Sequence, residues 1–218
     1  MNNIIIAGTG SYVPDTVVTN QDIVNRLACL GIESSNEWIV AKTGIRERRI
    51  AADNESTSDL GCRAGMRALE HAQMASEDIG LIICATSTPD MYLPSTACLI
   101  QGRLEASNAV AMDVNAACCG FIYAVATAYY YLLSGSHDSA LVIGADTYSR
   151  ILNWEDRSSC VFFGDAAGAV VLRRSEEDKG IRGIHLGSDG RKAHVIKAPA
   201  CGMAVSDPLI SPTDITNK

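Results

Sequence analysis

Runs of consecutive apolar residues alternate along this chain with stretches of helical periodicity. Asn3 to Ala7 (NIIIA) is a short β-rich run, and the following Gly8-Thr9-Gly10 reads as a tight turn that ends it. Thr19-Asn20-Gln21-Asp22 is a helix start with an acidic first turn, opening a helix toward Leu30. From Ser56 to Gln73, apolar or small residues at Leu60, Ala64, Met66, Ala68 and Leu69 predict an amphipathic helix capped by Ser56 or Ser58. Leu81 to Ala85 (LIICA) is a buried strand, and Pro94-Ser95 starts a helix that ends near Leu104. Ala109 to Val114 is a strand, Cys119 to Leu133 a helix, and Ala140 to Gly144 and Gly168 to Leu172 are two further strands. Continuous apolar strands separated by helices predict an α/β fold with a largely parallel sheet covered on both faces. After the charged run Arg173 to Lys179, Ile181 to Leu186 is the candidate for a new strand. The tail from Pro199 has no sustained periodicity and is given no structure.

The chain has 218 residues, 47% of them hydrophobic and 20% charged, enough for one large domain or two small ones. The net charge of −7 argues against a nucleic-acid partner, because phosphate contacts need clustered Lys and Arg. No apolar run reaches the ~20 residues that span a bilayer. The N-terminus MNNIIIAGTG has neither a basic segment nor a cleavage site, so a cytoplasmic protein is expected.

Reduced thiols are then the expectation for the cysteines at 29, 62, 84, 98, 118, 119, 160 and 201. They form no Cys-x-x-Cys pair and have no His at ligand spacing, so no metal site is expected. Two glycine motifs carry no nucleotide signal. Gly8-Thr9-Gly10 lacks the third glycine, since Val13 stands there, and Gly164-Asp165-Ala166-Ala167-Gly168 lacks the Lys-Ser/Thr of a phosphate loop. The small residues of the second motif suit a close backbone crossing near a site.

Asn115-Ala116-Ala117-Cys118-Cys119-Gly120-Phe121 joins a buried strand to a helix that is apolar on nearly every face. Small residues permit the sharp turn of a nucleophile elbow, and a thiol at a helix start is favoured as thiolate, the form that attacks an acyl group. Both cysteines are equally readable as packing residues on this local argument alone. Because adjacent residues at a helix start diverge by roughly 100°, only one of them can face a given pocket.

At these residues the sequence resembles the β-ketoacyl-acyl carrier protein synthase III family of the thiolase-like condensing enzymes. Matching segments run in order from Ile4 to about Gly190: Gly8 to Tyr12, Asn36-Glu37-Trp38-Ile39, Thr43 to Arg48, Pro94 to Cys98, Asp113 to Ile122, Asp156-Arg157 and Phe163 to Ala169. The resemblance implies a thiolase-like fold, with the first βαβαβαββ half over residues 1–174 and a linker and the start of a second half over 175–218. It implies that Cys118 is the nucleophile, accepting an acyl group from acyl-CoA, usually acetyl-CoA. The acyl-enzyme would condense with malonyl-acyl carrier protein and release carbon dioxide, starting a fatty acid chain. Coenzyme A thioester is a substrate in this chemistry, and no permanently bound cofactor is implied. Cys119 falls where the family has Ser or Ala.

Trp38 and Arg157 match residues that sandwich the CoA adenine, and Lys42 stands where an Arg is common. Leu93 matches a residue that closes the acyl pocket of a dimer partner, and Ala109 to Val114 matches the strand that pairs between subunits, so a homodimer is implied. Lys42, Arg46, Arg48 and Arg49 surround a single acid, Glu47, and form a basic run that attracts CoA phosphates or the acidic carrier protein, or else a solvated loop. Ala28 to Glu33 lengthens the loop before Trp38. The family completes its site with a His and an Asn from its second half, and the histidines here, at 71, 137, 185 and 194, do not lie in that motif. Three readings therefore stand: a condensing enzyme impaired by truncation, an inactive fragment that binds acyl-CoA or carrier protein, and a relative that primes polyketides or alkylquinolones.

Overall fold

The computed structural model describes residues 3–192, 194–196 and 198; Cys201 and most of the C-terminal tail lie outside the described residues. Contacts divide the chain into a unit that ends at Ile184 and a second that begins at His185. Among its described residues the second contains one short 3-10 turn, Gly190–Lys192, closed by Lys192 N–H on the Asp189 carbonyl.

The first unit is built on seven strands and five helices: β1 (Asn3–Tyr12), β2 (Thr16–Thr19), α1 (Asn20–Cys29), α2 (Asn36–Thr43), β3 (Glu47–Ile50), α3 (Thr57–Ala72), β4 (Leu81–Ala85), α4 (Thr96–Arg103), β5 (Val110–Val114), α5 (Gly120–Leu133), β6 (Ser139–Thr147) and β7 (Asp165–Ser175). Setting aside β2, α1, α2 and β3, the order is βαβαβαββ, as the family resemblance implies. The five-stranded sheet runs β1-β7-β6-β4-β5. It is mixed, which corrects the expectation of a largely parallel sheet: β4 pairs in parallel with β5 and β6, while β7 is antiparallel to β6 and β1. Burial on both faces gives a strand the same apolar run whichever way its neighbour points, so direction was not readable from hydropathy.

Side chains alternate across this sheet with the period of a strand. Leu81, Ile83 and Ala85 of β4 pack with Ala124, Ala128 and Leu132 of α5. Ile82 and Cys84 face the other way, onto Leu60, Ala64 and Ala68 of α3 and Ile100 of α4. Helix α3 starts where the sequence placed it: Ser56 Oγ accepts from the Asp59 N–H and the Asp59 carboxylate accepts from the Ser56 N–H. Thr19 and Asp22 form the same box at α1.

Gly8-Thr9-Gly10 is not a turn. Strand β1 continues through it to Tyr12, with a register shift against β7 between Ile6 and Gly8. The glycines are required because α3 lies directly on the strand. A Cβ at Gly8 would run into the Ala68 carbonyl oxygen, and one at Gly10 into the Ala64 carbonyl oxygen. Ile181 to Leu186 forms no strand; Ile181 N–H donates to the Ile4 carbonyl at the outer edge of β1.

The stretch read as a basic run contains strand β3, which pairs with β2 in a two-stranded ribbon. Arg48 points inward and is only 6% exposed. Its guanidinium donates to the Asn20 Oδ1 (2.9 Å), the Val161 carbonyl (3.0 Å) and the Val18 carbonyl (3.3 Å), so it is a structural tie and no phosphate ligand. Asn20 in turn donates to Asn36 Oδ1 and the Ile45 carbonyl, joining α1, α2 and β3. Gly164 provides the close crossing expected of its motif, because a Cβ there would lie 2.9 Å from the Arg49 carbonyl oxygen. Next to it, buried Asp165 accepts from the Ala51 N–H, the Ser149 N–H and the Ser149 hydroxyl.

Candidate active site

Strand β5 is an edge strand, and the chain leaves its carboxyl end at Val114 to build the turn that carries Cys118. Two anchors fix where that turn begins. Val114 carbonyl accepts from the Thr86 N–H at 3.2 Å, and the Asp113 carboxylate accepts from the Thr96 and Ala97 N–H groups at the start of α4 (2.8 and 2.7 Å). Asn115 Oδ1 accepts from the Ala117 N–H at 3.3 Å, and Ala117 takes a left-handed φ of 46°. A non-glycine residue in that region is strained, which is a recurrent property of turns that present a reactive group. Ala117–Cys119 forms one turn of 3-10 helix, and α5 follows from Gly120 with Cys119 at its N-cap.

Cys118 and Cys119 are both exposed, whereas Cys62, Cys84 and Cys160 are buried. Helix α5 is seated tightly beneath the turn. A Cβ at Gly120 would touch Ala85 Cβ at 3.4 Å, and one at Gly144 would crowd Phe121 at 3.1 Å. The small residues of the turn and of β6 thus let the helix start against the strand ends, so that Cys118 sits at the carboxyl end of the sheet.

The second group of candidate residues comes together at α2. Its N-cap Ser35 accepts from the Trp38 N–H, and Gly44 closes it with a φ of 73° that suits glycine. Trp38 and Lys42 lie four residues apart and share a helix face. The Arg157 guanidinium lies over the Trp38 ring at 3.8 Å from its centroid. Asp156 shapes the turn that delivers Arg157, accepting from the Ser158 N–H and hydroxyl and the Ser159 hydroxyl. Those hydroxyls, Ser158 foremost, hold the Asp156 carboxyl below its usual range. Arg157 Nε is buried without a hydrogen-bond partner in this arrangement. Trp38 packs at its base on a small cluster of Ile23, Leu27, Ile39, Cys160 and Val161.

Leu93 is 85% exposed, at the tip of the segment between β4 and α4 with Met91 and Tyr92 beside it. Its base is fixed by Asp90, whose carboxylate accepts from the Ser58 N–H (2.9 Å) and hydroxyl (2.5 Å) at the start of α3. Of the histidines, His71 engages Thr9 and His137 stacks on Tyr131. Among the described residues no His/Cys/Asp/Glu group is arranged to hold a metal, and no helix is long and apolar enough to cross a membrane. Asn115, Asp113 and Asp90, which position the turn and the tip, were not nominated from the sequence. Their signal was faint: an acid or amide at a strand end, beside a helix start that needs acceptors.

A five-stranded mixed sheet with helices on both faces and a cysteine turn at its carboxyl end has the architecture of one half of a thiolase-like fold. Residues 112–190 match the family model of 3-oxoacyl-[acyl-carrier-protein (ACP)] synthase III. The chain is 51% identical to the β-ketoacyl-[acyl-carrier-protein] synthase III of Xylella fastidiosa over 194 residues, which is 89% of this chain and 58% of that protein. The crystal structure of 3-oxoacyl-(acyl carrier protein) synthase III from Pseudomonas aeruginosa superposes with a TM-score of 0.85 at 38% identity, covering 93% of this chain and 62% of that one. A priming β-ketosynthase of a polyketide pathway is similar at 36% identity and a TM-score of 0.75, over 80% of this chain and 51% of that one. The chain belongs to the β-ketoacyl-acyl carrier protein synthase III family, and it spans about 58% of the length of the Xylella relative.

Proposed function

We propose that Cys118 accepts an acyl group from a coenzyme A thioester, acetyl-CoA being the first candidate. The observation that carries this reading is the placement of Cys118: exposed, at the carboxyl end of the edge strand, in a strained turn that leads into an apolar helix. The Cys118 sulfur attacks the thioester carbonyl, a new S–C bond forms, the CoA S–C bond breaks, and the CoA thiol leaves with the proton from Cys118. Trp38 and Arg157 are the proposed adenine clamp, since indole and guanidinium planes both stack on a base. Lys42, on the same face of α2 as Trp38, is the proposed phosphate contact.

The acyl-enzyme is then the partner for malonyl-acyl carrier protein, which loses carbon dioxide as its carbanion attacks the acyl carbonyl and releases Cys118. The names of the similar proteins, β-ketoacyl-acyl carrier protein synthases, support a β-ketoacyl-acyl carrier protein as the product. The likeness to a polyketide priming enzyme makes the acyl group itself the variable to measure. The exposed edge of β5 and the protruding Leu93 support a homodimer in which β5 pairs with its copy and Leu93 enters the partner's acyl pocket. A cytoplasmic setting, where thiols stay reduced, suits this chemistry. Mixing the chain with a series of acyl-CoA thioesters and measuring released CoA thiol tests the reading. About one equivalent per chain is expected from the preferred thioester; no release above the Cys118→Ala background from any of them would refute it.

A further inference from the structure

Cys119 has no part in the acyl-transfer reading, yet it too is exposed and directly follows Cys118. Consecutive Cα atoms are ~3.8 Å apart, so each of these sulfurs has the other as the nearest thiol the covalent chain allows. The segment that carries them includes the bonds Ala117 N–H to Asn115 Oδ1, Cys119 N–H to the Ala116 carbonyl, and Gly120 N–H to the Ala117 carbonyl. Its Ala117 is already in the left-handed region, and Cys119 makes no side-chain cap bond to α5. Successive side chains in a 3-10 turn diverge by roughly a third of a revolution, so a bond between the two sulfurs requires this turn to open. The buried thiols at 62, 84 and 160 have no such freedom.

We propose that Cys118 and Cys119 form a redox couple that closes to a vicinal disulfide on exposure to a hydroperoxide and reopens with a dithiol. In the first step one thiolate attacks the hydroperoxide; the O–O bond breaks, a sulfenic acid forms, and water or an alcohol leaves. In the second, the neighbouring sulfur attacks the sulfenic sulfur; an S–S bond forms, the S–O bond breaks, and hydroxide leaves with the neighbour's proton as water. The two thiols lose two electrons and two protons, and the peroxide is reduced by the same two electrons. The result is a reversibly masked pair in place of irreversible sulfinic acid on Cys118. Whichever sulfur is oxidised first, the other is its resolving thiol.

The sequence makes the test sharp. The tryptic peptide Leu104–Arg150 contains Cys118 and Cys119, no other cysteine, and no internal Lys or Arg. The whole chain is treated with hydrogen peroxide, alkylated and digested, and this peptide is weighed. The wild-type peptide is expected to lose two hydrogens, to resist alkylation, and to regain both thiols with dithiothreitol. In Cys119→Ser and Cys119→Ala, the same peptide should instead gain oxygen atoms on Cys118 that dithiothreitol does not remove, several-fold above wild type. The proposal is overturned if the wild-type peptide gains oxygen as fast as the variants, if it becomes linked to a peptide carrying another cysteine, or if both its thiols stay alkylatable while Cys29 and Cys98 are oxidised. Because the readout is on sulfur alone, its failure leaves acyl uptake untouched, and a failure of acyl uptake leaves this couple testable.

Discussion

Cys84 and Cys118 are the same residue type on neighbouring strand lines of one sheet, and their surroundings are opposite. Cys84 sits in the middle of β4, paired with Asp113 on one side and Ile143 on the other, and is fully buried against α3 and α4. Burial pushes its thiol well above the ordinary value, with Asp113, Asp146 and Asp90 adding to the effect. Cys118 lies four residues past the end of β5, where the sheet has stopped and the helix has not begun. The contrast shows that what separates a packing thiol from a candidate nucleophile is position along a strand. Within the sheet, α3 and α5 exclude solvent from both faces; at its carboxyl end the backbone turns away and exposes the side chain.

This comparison can be broken from either side. On the packed side, Gly10→Val drives a side chain into the Ala64 carbonyl of α3 and should cost about 3 kcal/mol or more, the upper range for overpacking. Denaturant titration reads it, and a soluble variant of near wild-type stability would mean that α3 does not lie on β1 as described. Arg48→Met keeps most of the buried volume but strands the Asn20 Oδ1 and the Val161 and Val18 carbonyls. A loss of about 2 to 3 kcal/mol is expected for acceptors left without a donor. Unchanged affinity for CoA in the folded fraction would separate Arg48 from Lys42 and Arg157, the proposed CoA contacts.

On the exposed side the sign reverses. Ala117→Gly relieves the left-handed φ and should stabilise the chain by about 1 kcal/mol, less the extra freedom it gives the unfolded chain. A destabilised Ala117→Gly would contradict the strained turn. The smallest effect concerns Asp146, near the carboxyl end of β6, whose Oδ1 accepts from the Thr86 and Thr88 hydroxyls and the Ser87 N–H. Burial raises its pKa above the ordinary value despite those bonds. A carboxyl whose folded-state pKa is raised contributes stability that is full below its unfolded pKa and is lost as pH rises through the folded one. Asp146→Asn can keep all three bonds on one amide oxygen and carries no charge. Wild type should therefore lose stability relative to Asp146→Asn as pH rises from the acid range toward neutral; parallel melting curves against pH would contradict this.

Much of the fold was legible locally. The helix start at Thr19 to Asp22, the α3 start at the first of the two serines offered for it, and the LIICA strand are short-range patterns, and each appears where the sequence put it. The errors share one cause, which is that tertiary approach overrode local meaning. Gly8 and Gly10 read as turn residues because glycine usually marks turns, but their need for no Cβ comes from α3, more than fifty residues away in sequence. Arg48 read as a free cation because its neighbours are charged, and only the packing of Asn20 and Val161 makes it internal. The direction of β7 leaves no trace in its own apolar pattern. At the site, the strand–turn–helix junction was legible locally without separating Cys118 from Cys119, and both the choice of Cys118 and the pairing of Arg157 with Trp38 came from the family resemblance, since nothing local links residues so far apart.

The most direct test of the account is the location of the acyl group. The chain is mixed with acetyl-CoA, digested, and the peptide Leu104–Arg150 is sequenced by mass spectrometry, beside Cys118→Ala and Cys119→Ala chains whose stabilities should stay within about 0.5 kcal/mol of wild type. An acetyl group on Cys118, retained in Cys119→Ala and lost in Cys118→Ala, is the predicted result. Acetylation that persists in Cys118→Ala, or that moves to Cys119 in the wild-type chain, would contradict it.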